Sequence, residues 1–193
     1  KVLTSIAKLF TCEPPDDTDP LLNFSNPGYD NDKTRCANGI APVIVAAAGN
    51  LGQGDPPAKE YPAAESVYGL IAVGASDASK HLASFSNSGS WVSVAAPGDA
   101  ITSAMPTSAS ATGYATWSGT SMAAPLVAGT AALLRAAQPE LAPRDVVRKI
   151  ERTATPLTGT WAAKASMAAC ISAELAAQSL QQLWNSSRRR TTR

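Results

Sequence analysis

The chain has 193 residues, 45% of them hydrophobic and 16% charged, which is enough apolar material for one domain with a sizeable core. Its net charge of +1 gives no electrostatic case for a nucleic-acid or membrane partner. No apolar run approaches the ~18 residues of a membrane-spanning helix, and no secretory signal is present.

The first forty residues give weak signals. "KVLTSIAKLF" lacks an initiator Met and reads like the middle of a helix, so the chain is expected to be part of a longer one. A Cys12–Cys36 bridge would suit a secreted protein and leave Cys170 alone; no C-x-x-C or Cys/His cluster suggests a metal site, and His81 is the sole histidine. "PLLNFS" (20–25) is a weak strand. Three runs then read as fully buried strands: "PVIVAAAG" (42–49), "GLIAVGA" (69–75) and "WVSVAAPG" (91–98). None alternates apolar with polar residues, as expected for parallel strands covered on both faces.

A helix is predicted from about Ser121 to Gln138. It carries no charge before Arg135 and is therefore expected to be buried all round, with Pro125 in its first turn. A second, amphipathic helix starts near Pro143. Val146, Val147, Ile150 and Ala154 lie on its inner face, with Arg144, Arg148, Lys149 and Arg152 outside. Residues 162–184 form an Ala-rich, helical ending. The tail 186–193 holds Arg188, Arg189, Arg190 and Arg193; without these four, 12 basic residues face 15 acidic ones. The chain thus divides into a domain over 1–185 and a basic, solvated tail over 186–193. Strands mixed with helices imply a three-layer α/β sandwich with a mostly parallel sheet. Function in such sheets sits at the carboxyl ends of the strands, where Asn50 and Gly98 fall.

On position alone, Ser121 reads as a helix N-cap, and Asn50 as a turn residue that tolerates left-handed φ. Both also suit acyl-transfer chemistry. A serine beside the unpaired N–H groups of a helix N-terminus can attack a carbonyl whose oxyanion those groups then bind, and an asparagine amide can donate to the same oxyanion.

Four segments favour the second pair of roles. "SGTSMAAPLVAGTAALL" resembles the nucleophile segment of subtilisin-like serine proteases. "VIVAAAGN" resembles their oxyanion-asparagine strand. "LIAVGASD" and "LASFSNSGSWVSVAAPG" resemble the two segments between, in the family's order. "LLNFSNPG" is similar to the substrate-binding strand. The resemblance implies that Ser121 is the acyl-forming nucleophile and that Asn50 and the Ser121 N–H bind the oxyanion. It implies that Ser25, Asn26 and Pro27 pair with an extended substrate, and that Ala47, Ala48 and Gly49 wall an open primary pocket suited to large apolar side chains. Gly119 and Thr120 would let the chain turn sharply before Ser121. It implies a polypeptide substrate and an extracellular setting, and it makes calcium possible, although no acidic cluster is seen and "KEYPAAESVYG" offers only carbonyls. No other cofactor and no metal ligand set is evident.

The family's Asp, His and Ser run in that order along the chain. Its Asp-Ser/Thr-Gly and His-Gly-Thr-His motifs precede the substrate strand, and neither occurs here. His81, in "SDASKHLASFSNSG", follows the oxyanion strand and reads as an exposed loop residue. The segment "YDNDKTRCANGIAP" and the closing "TGTWAAKASMAACISAEL" also depart from the family pattern. The leading expectation is the C-terminal part of a subtilisin-like catalytic domain, incomplete at its N-terminal side and inactive alone, with Asp and His on a missing N-terminal half. The alternatives are a non-catalytic peptide-binding pseudoprotease, or one half of a split protease.

Overall fold

The computed structural model describes residues 41–52, 54, 57–67, 69–157 and 169–170. The expectations for Cys12, Cys36, "PLLNFS", Ser25, Asn26, Pro27 and the tail 186–193 fall outside these residues.

The three apolar runs form the strands β1 (Ile44–Ala47), β2 (Leu70–Ser76) and β3 (Val94–Pro97). They pair in parallel: Ile44 sits opposite Leu70, and Val73 opposite Val94. Beyond β3 come β7 (Ala169–Cys170), parallel to it, and β6 (Thr155–Pro156), antiparallel to β7, in the order β1-β2-β3-β7-β6. The Ala-rich ending was expected to be helical; at Ala169–Cys170 it is a strand instead, because pairing with the backbone of Ala95 outweighs the local preference of alanine for helix.

All seven residues of β2 are buried, as its central place requires. β1 is only half-buried, against the expectation, because among the described strands it has a neighbour on one side alone. A hairpin, β4 (Ile101–Ala104) with β5 (Tyr114–Trp117), stands outside the strands that the sequence predicts. Its strands are exposed on both faces, so they carry no apolar alternation for a sequence reading to detect.

Helix α1 spans Thr120–Ala137 and α2 spans Pro143–Thr153. Both pack on one face of the sheet, where Ile71, Val73, Ala75, Val94 and Ala96 meet Ala123, Val127, Ala131 and Leu134 of α1 and Val146, Val147 and Ile150 of α2. The opposite face, carrying Ala46, Ala72 and Ala95, is covered among the described residues by Ala63, Trp91, Leu82 and Leu157. These come from loops rather than from a second helical layer.

Two expectations for α1 are corrected. The helix buries one face only, and Leu126 on the other is 45% exposed. Small uncharged residues occupy both its sheet-facing side and its open side, so the lack of charge does not mark burial all round. Pro125 lies in the second turn rather than the first, so the hydrogen bond it cannot make is the one to the carbonyl of Ser121. α2 follows its amphipathic pattern, with Pro143 at the first position and Val146, Val147 and Ile150 inward.

Glu151, on α2, is half-buried, and that burial holds its carboxyl above the usual range, against hydrogen bonding from Ser93 and the charge of Arg148. A carboxyl raised in the folded state is stabilising when protonated, so ionisation above the ordinary carboxylate range weakens the fold. Glu151→Gln is expected to raise the thermal midpoint at pH 7, with the advantage over the parent vanishing as pH falls through the raised titration; parallel melts at neutral and acid pH check this.

Candidate active site

The site lies where the carboxyl ends of β1 and β3 meet the start of α1. Gly98 follows β3 and lies against the α1 start. A β-carbon there would fall 2.6 Å from Ala75 Cβ and 2.8 Å from the Gly119 carbonyl oxygen. Only glycine allows this approach, and through it Gly119 N–H donates to Gly98 O at 2.7 Å. The next turn adds a side-chain brace: Ser118 Oγ donates to Asp99 Oδ1 at 2.7 Å and accepts from Ala100 N at 2.9 Å.

Two residues past the end of β1 stands Gly49, at φ 101°, and it is this glycine rather than Asn50 that takes the left-handed conformation. A Gly49 β-carbon would lie 2.3 Å from Glu60 Cγ and 2.5 Å from Asn87 Nδ2. Asn50 Oδ1 accepts from the Thr120 backbone N–H at 2.9 Å and from Thr120 Oγ1 at 3.0 Å. Thr120 Oγ1 in turn accepts from Gly49 N at 3.1 Å. Since the Thr120 N–H can only donate, the carboxamide has a single orientation. Its Nδ2 has no partner among the described residues.

Ser121 does not cap α1. The N-cap is Gly119, and no side-chain cap bond is made. Ser121 stands in the first helical turn, exposed, and its hydroxyl bonds to no other described residue. Its backbone N–H belongs to the first turn, whose donors have no intrahelical acceptor. Ser121 and Asn50 share an open cleft of about 560 Å³ with Thr116, Trp117, Ser118, Gly119 and Met122. None of these residues carries a general base. The cleft therefore offers a hydroxyl nucleophile, a side-chain amide donor and a helix N-terminus at one place.

Gly119 has φ 161°, extended backbone that any residue adopts, so the turn before Ser121 does not demand glycine on conformational grounds. A β-carbon there would rest 3.4 Å from Asn50 Nδ2. Thr120 is fully buried and acts as the lock on Asn50 rather than as a surface that meets substrate. Ala48 is also fully buried, while Ala47 and Gly49 are half-buried; none of the three lines the cleft. Sequence reasoning missed Trp117, which is 54% exposed on the cleft wall, and Asn87, which is fully buried behind Asn50. Asn87 lies within "LASFSNSGSWVSVAAPG", and only contacts across 36 or more positions reveal its place behind Asn50.

His81 lies in the turn after β2, its Nδ1 3.5 Å from Asp77 Oδ2, with its side chain about half exposed. Asp77 Oδ1 accepts from the His81 and Ser79 backbone N–H groups. These bonds, that from His81 first, hold its carboxyl below the usual range. His81 does not line the Ser121 cleft. Among the described residues no group of three or more His, Cys, Asp or Glu side chains is placed to hold a metal ion. No described helix is long and apolar enough to cross a membrane.

The sequence model of the subtilase family matches residues 23–182. Subtilisin DY of Bacillus licheniformis is 43% identical over 122 residues, covering 63% of this chain and 42% of that protein. Thermitase of Thermoactinomyces vulgaris is 48% identical over 118 residues, covering 61% of this chain and 38% of that protein. Among solved structures, a cold adapted subtilisin-like serine proteinase superposes with a TM-score of 0.56 at 31% identity, covering 72% of this chain and 48% of that one. The chain thus spans less than half the length of these relatives.

Thr120→Val removes the hydroxyl that joins Gly49 N to Asn50 Oδ1 and leaves the Gly49 donor unpaired at a part-buried site. It is expected to cost about 1–3 kcal/mol, read as a lowered denaturant midpoint with an unchanged m-value.

Proposed function

The chain belongs to the subtilase family, and on that footing we propose that it forms the carboxyl-side part of a serine endopeptidase domain, with Ser121 as nucleophile and Asn50 as oxyanion donor. The observation that carries this is the pair of hydrogen bonds that the Thr120 N–H and hydroxyl donate to Asn50 Oδ1. It leaves Nδ2 as the free end of the carboxamide, on the cleft that holds the exposed Ser121 hydroxyl.

In this reading an extended polypeptide lies along Ser25–Pro27, with Ala47–Gly49 behind its primary side chain. Ser121 Oγ bonds to the scissile carbonyl carbon, and the carbonyl π pair moves onto oxygen. Asn50 Nδ2 and the Ser121 N–H donate to that oxyanion, aided by the positive end of α1. The Ser121 proton passes to an imidazole and from it to the leaving amine as the C–N bond breaks, which leaves the acyl group on Ser121.

The imidazole and the carboxylate that orients it come, in this proposal, from a segment outside residues 1–193. Two facts support this: the single histidine is engaged with Asp77 away from the cleft, and the relatives are more than twice as long as the aligned stretch. An extracellular setting belongs to the same proposal and rests on family membership.

Residues 1–193 alone are expected to give no turnover of a chromogenic peptide above background. Joined to a family segment bearing Asp-Ser/Thr-Gly and His-Gly-Thr-His, they are expected to give turnover that Ser121→Ala abolishes. In the joined protein Asn50→Ala is expected to lower kcat about 10²–10³-fold, the magnitude known for loss of such a donor in subtilisin itself. Ser121-dependent turnover by residues 1–193 alone would refute the missing-base reading. Peptide binding without turnover in the joined protein would favour the non-catalytic alternative.

A further inference from the structure

The carboxamide of Asn50 is aimed by Thr120, but its aim also depends on the backbone that carries it. That backbone lies past the end of β1. Ala48 N–H still donates to Val73 O at 2.9 Å, and Gly52 N–H donates to Phe85 O at 2.8 Å. Between those two bonds a single residue takes up three backbone groups. Asn87 Nδ2 donates to Ala48 O at 2.9 Å, Asn87 N–H donates to Gly49 O at 2.9 Å, and Asn87 Oδ1 accepts from Leu51 N at 2.7 Å. The bonds fall on both sides of Asn50 and hold the backbone that carries it.

Asn87 is itself fixed. It is fully buried, and its own carbonyl accepts from Ser86 Oγ at 3.1 Å. Ser86 Oγ also accepts from Ala75 N, in the central strand, at 3.0 Å. A continuous path of bonds therefore runs from β2 through Ser86 and Asn87 to the residues flanking Asn50. A donor and an acceptor on one short planar group are needed to hold a carbonyl before Asn50 and an N–H after it, and asparagine supplies both. Gly49 completes the fit, since any β-carbon there would collide with Asn87 Nδ2 at 2.5 Å.

We propose that Asn87 is a positioning residue for the oxyanion donor Asn50, tying the backbone on both sides of it to the central strand; this rests on the function proposed above. The test uses residues 1–193 joined to the Asp- and His-bearing segment, in a double-mutant cycle. Asn87→Ala is expected to lower kcat about 10-fold or more with KM changed little, because misplacement of a donor acts on the transition state. In the Asn50→Ala background the same substitution is expected to leave kcat unchanged, because the donor it aims is gone. An equal loss of kcat in both backgrounds would mark Asn87 as merely structural and overturn the proposal. If Asn87→Ala gives no cooperative melt, Asn87→Ser, which leaves room for a bridging water, takes its place in the cycle.

A second measurement does not depend on turnover. The side-chain amide signals of Asn50 in a ¹⁵N–¹H spectrum are expected to be one sharp pair in the parent and broadened or split in the Asn87 variant. A single sharp pair in both would overturn the proposal. A parent protein without Ser121-dependent turnover would sink the proposed function, and the spectra would then decide the positioning claim alone.

Discussion

The rest of the site depends on the acceptance of two hydrogen bonds by Asn50 Oδ1 from Thr120. The two residues are 70 positions apart, and their bonds join the end of β1 to the start of α1. An exposed asparagine would otherwise sample several rotamers. With its oxygen taken by an obligate backbone donor and a buried hydroxyl, the carboxamide presents a fixed N–H face beside the N-terminus of α1. A donor held this way needs no reorganisation when charge develops in front of it, which is what makes such groups effective in low-dielectric clefts.

That contact is possible only because the backbones around it approach closely. Gly98 lets the end of β3 reach Gly119, and Gly49 lets the end of β1 press against Glu60 and Asn87. The same economy of side chains runs into α1, where Ala123, Val127, Thr130 and Ala131 face the sheet. A larger residue at Ala123 would push α1 away from Gly98, whose own β-carbon position is 3.2 Å from Ala123 Cβ. Core packing and site geometry are therefore one constraint: the helix must sit near enough for Thr120 to reach Asn50.

Polar burial behind the site follows from the same layout. Ser86, Asn87 and Thr120 are each fully buried, and each bonds backbone groups left over where a strand or helix ends. Strand ends inside a protein leave carbonyls and N–H groups that no sheet neighbour can take, and unpaired they would be costly. Short polar side chains take them, Ser86 and Asn87 from the returning loop after β2 and Thr120 from the start of α1.

Much was legible in the sequence. Continuous apolar runs closed by Gly or Pro located β1, β2 and β3, because burial on both faces removes the polar alternation of an ordinary strand. The period of Val146, Val147 and Ile150 located α2, and the stretch around Ser121 located the nucleophile candidate and its helix. The β4–β5 hairpin was not legible, since strands exposed on both faces carry no pattern. The half-exposure of α1 was not legible either, because small uncharged residues serve equally at a tight contact and on an open face. Residue types and local periods are properties of neighbours in the chain, and these the sequence determined by itself. Which way Asn50 turns its amide, that Gly49 rather than Asn50 takes the left-handed turn, that Ser121 leaves the cap to Gly119, and that Asn87 stands behind them depend on contacts between positions 36 to 71 residues apart. Only the tertiary structure decided these, because a hydrogen bond's direction is set by where its partner lies in space.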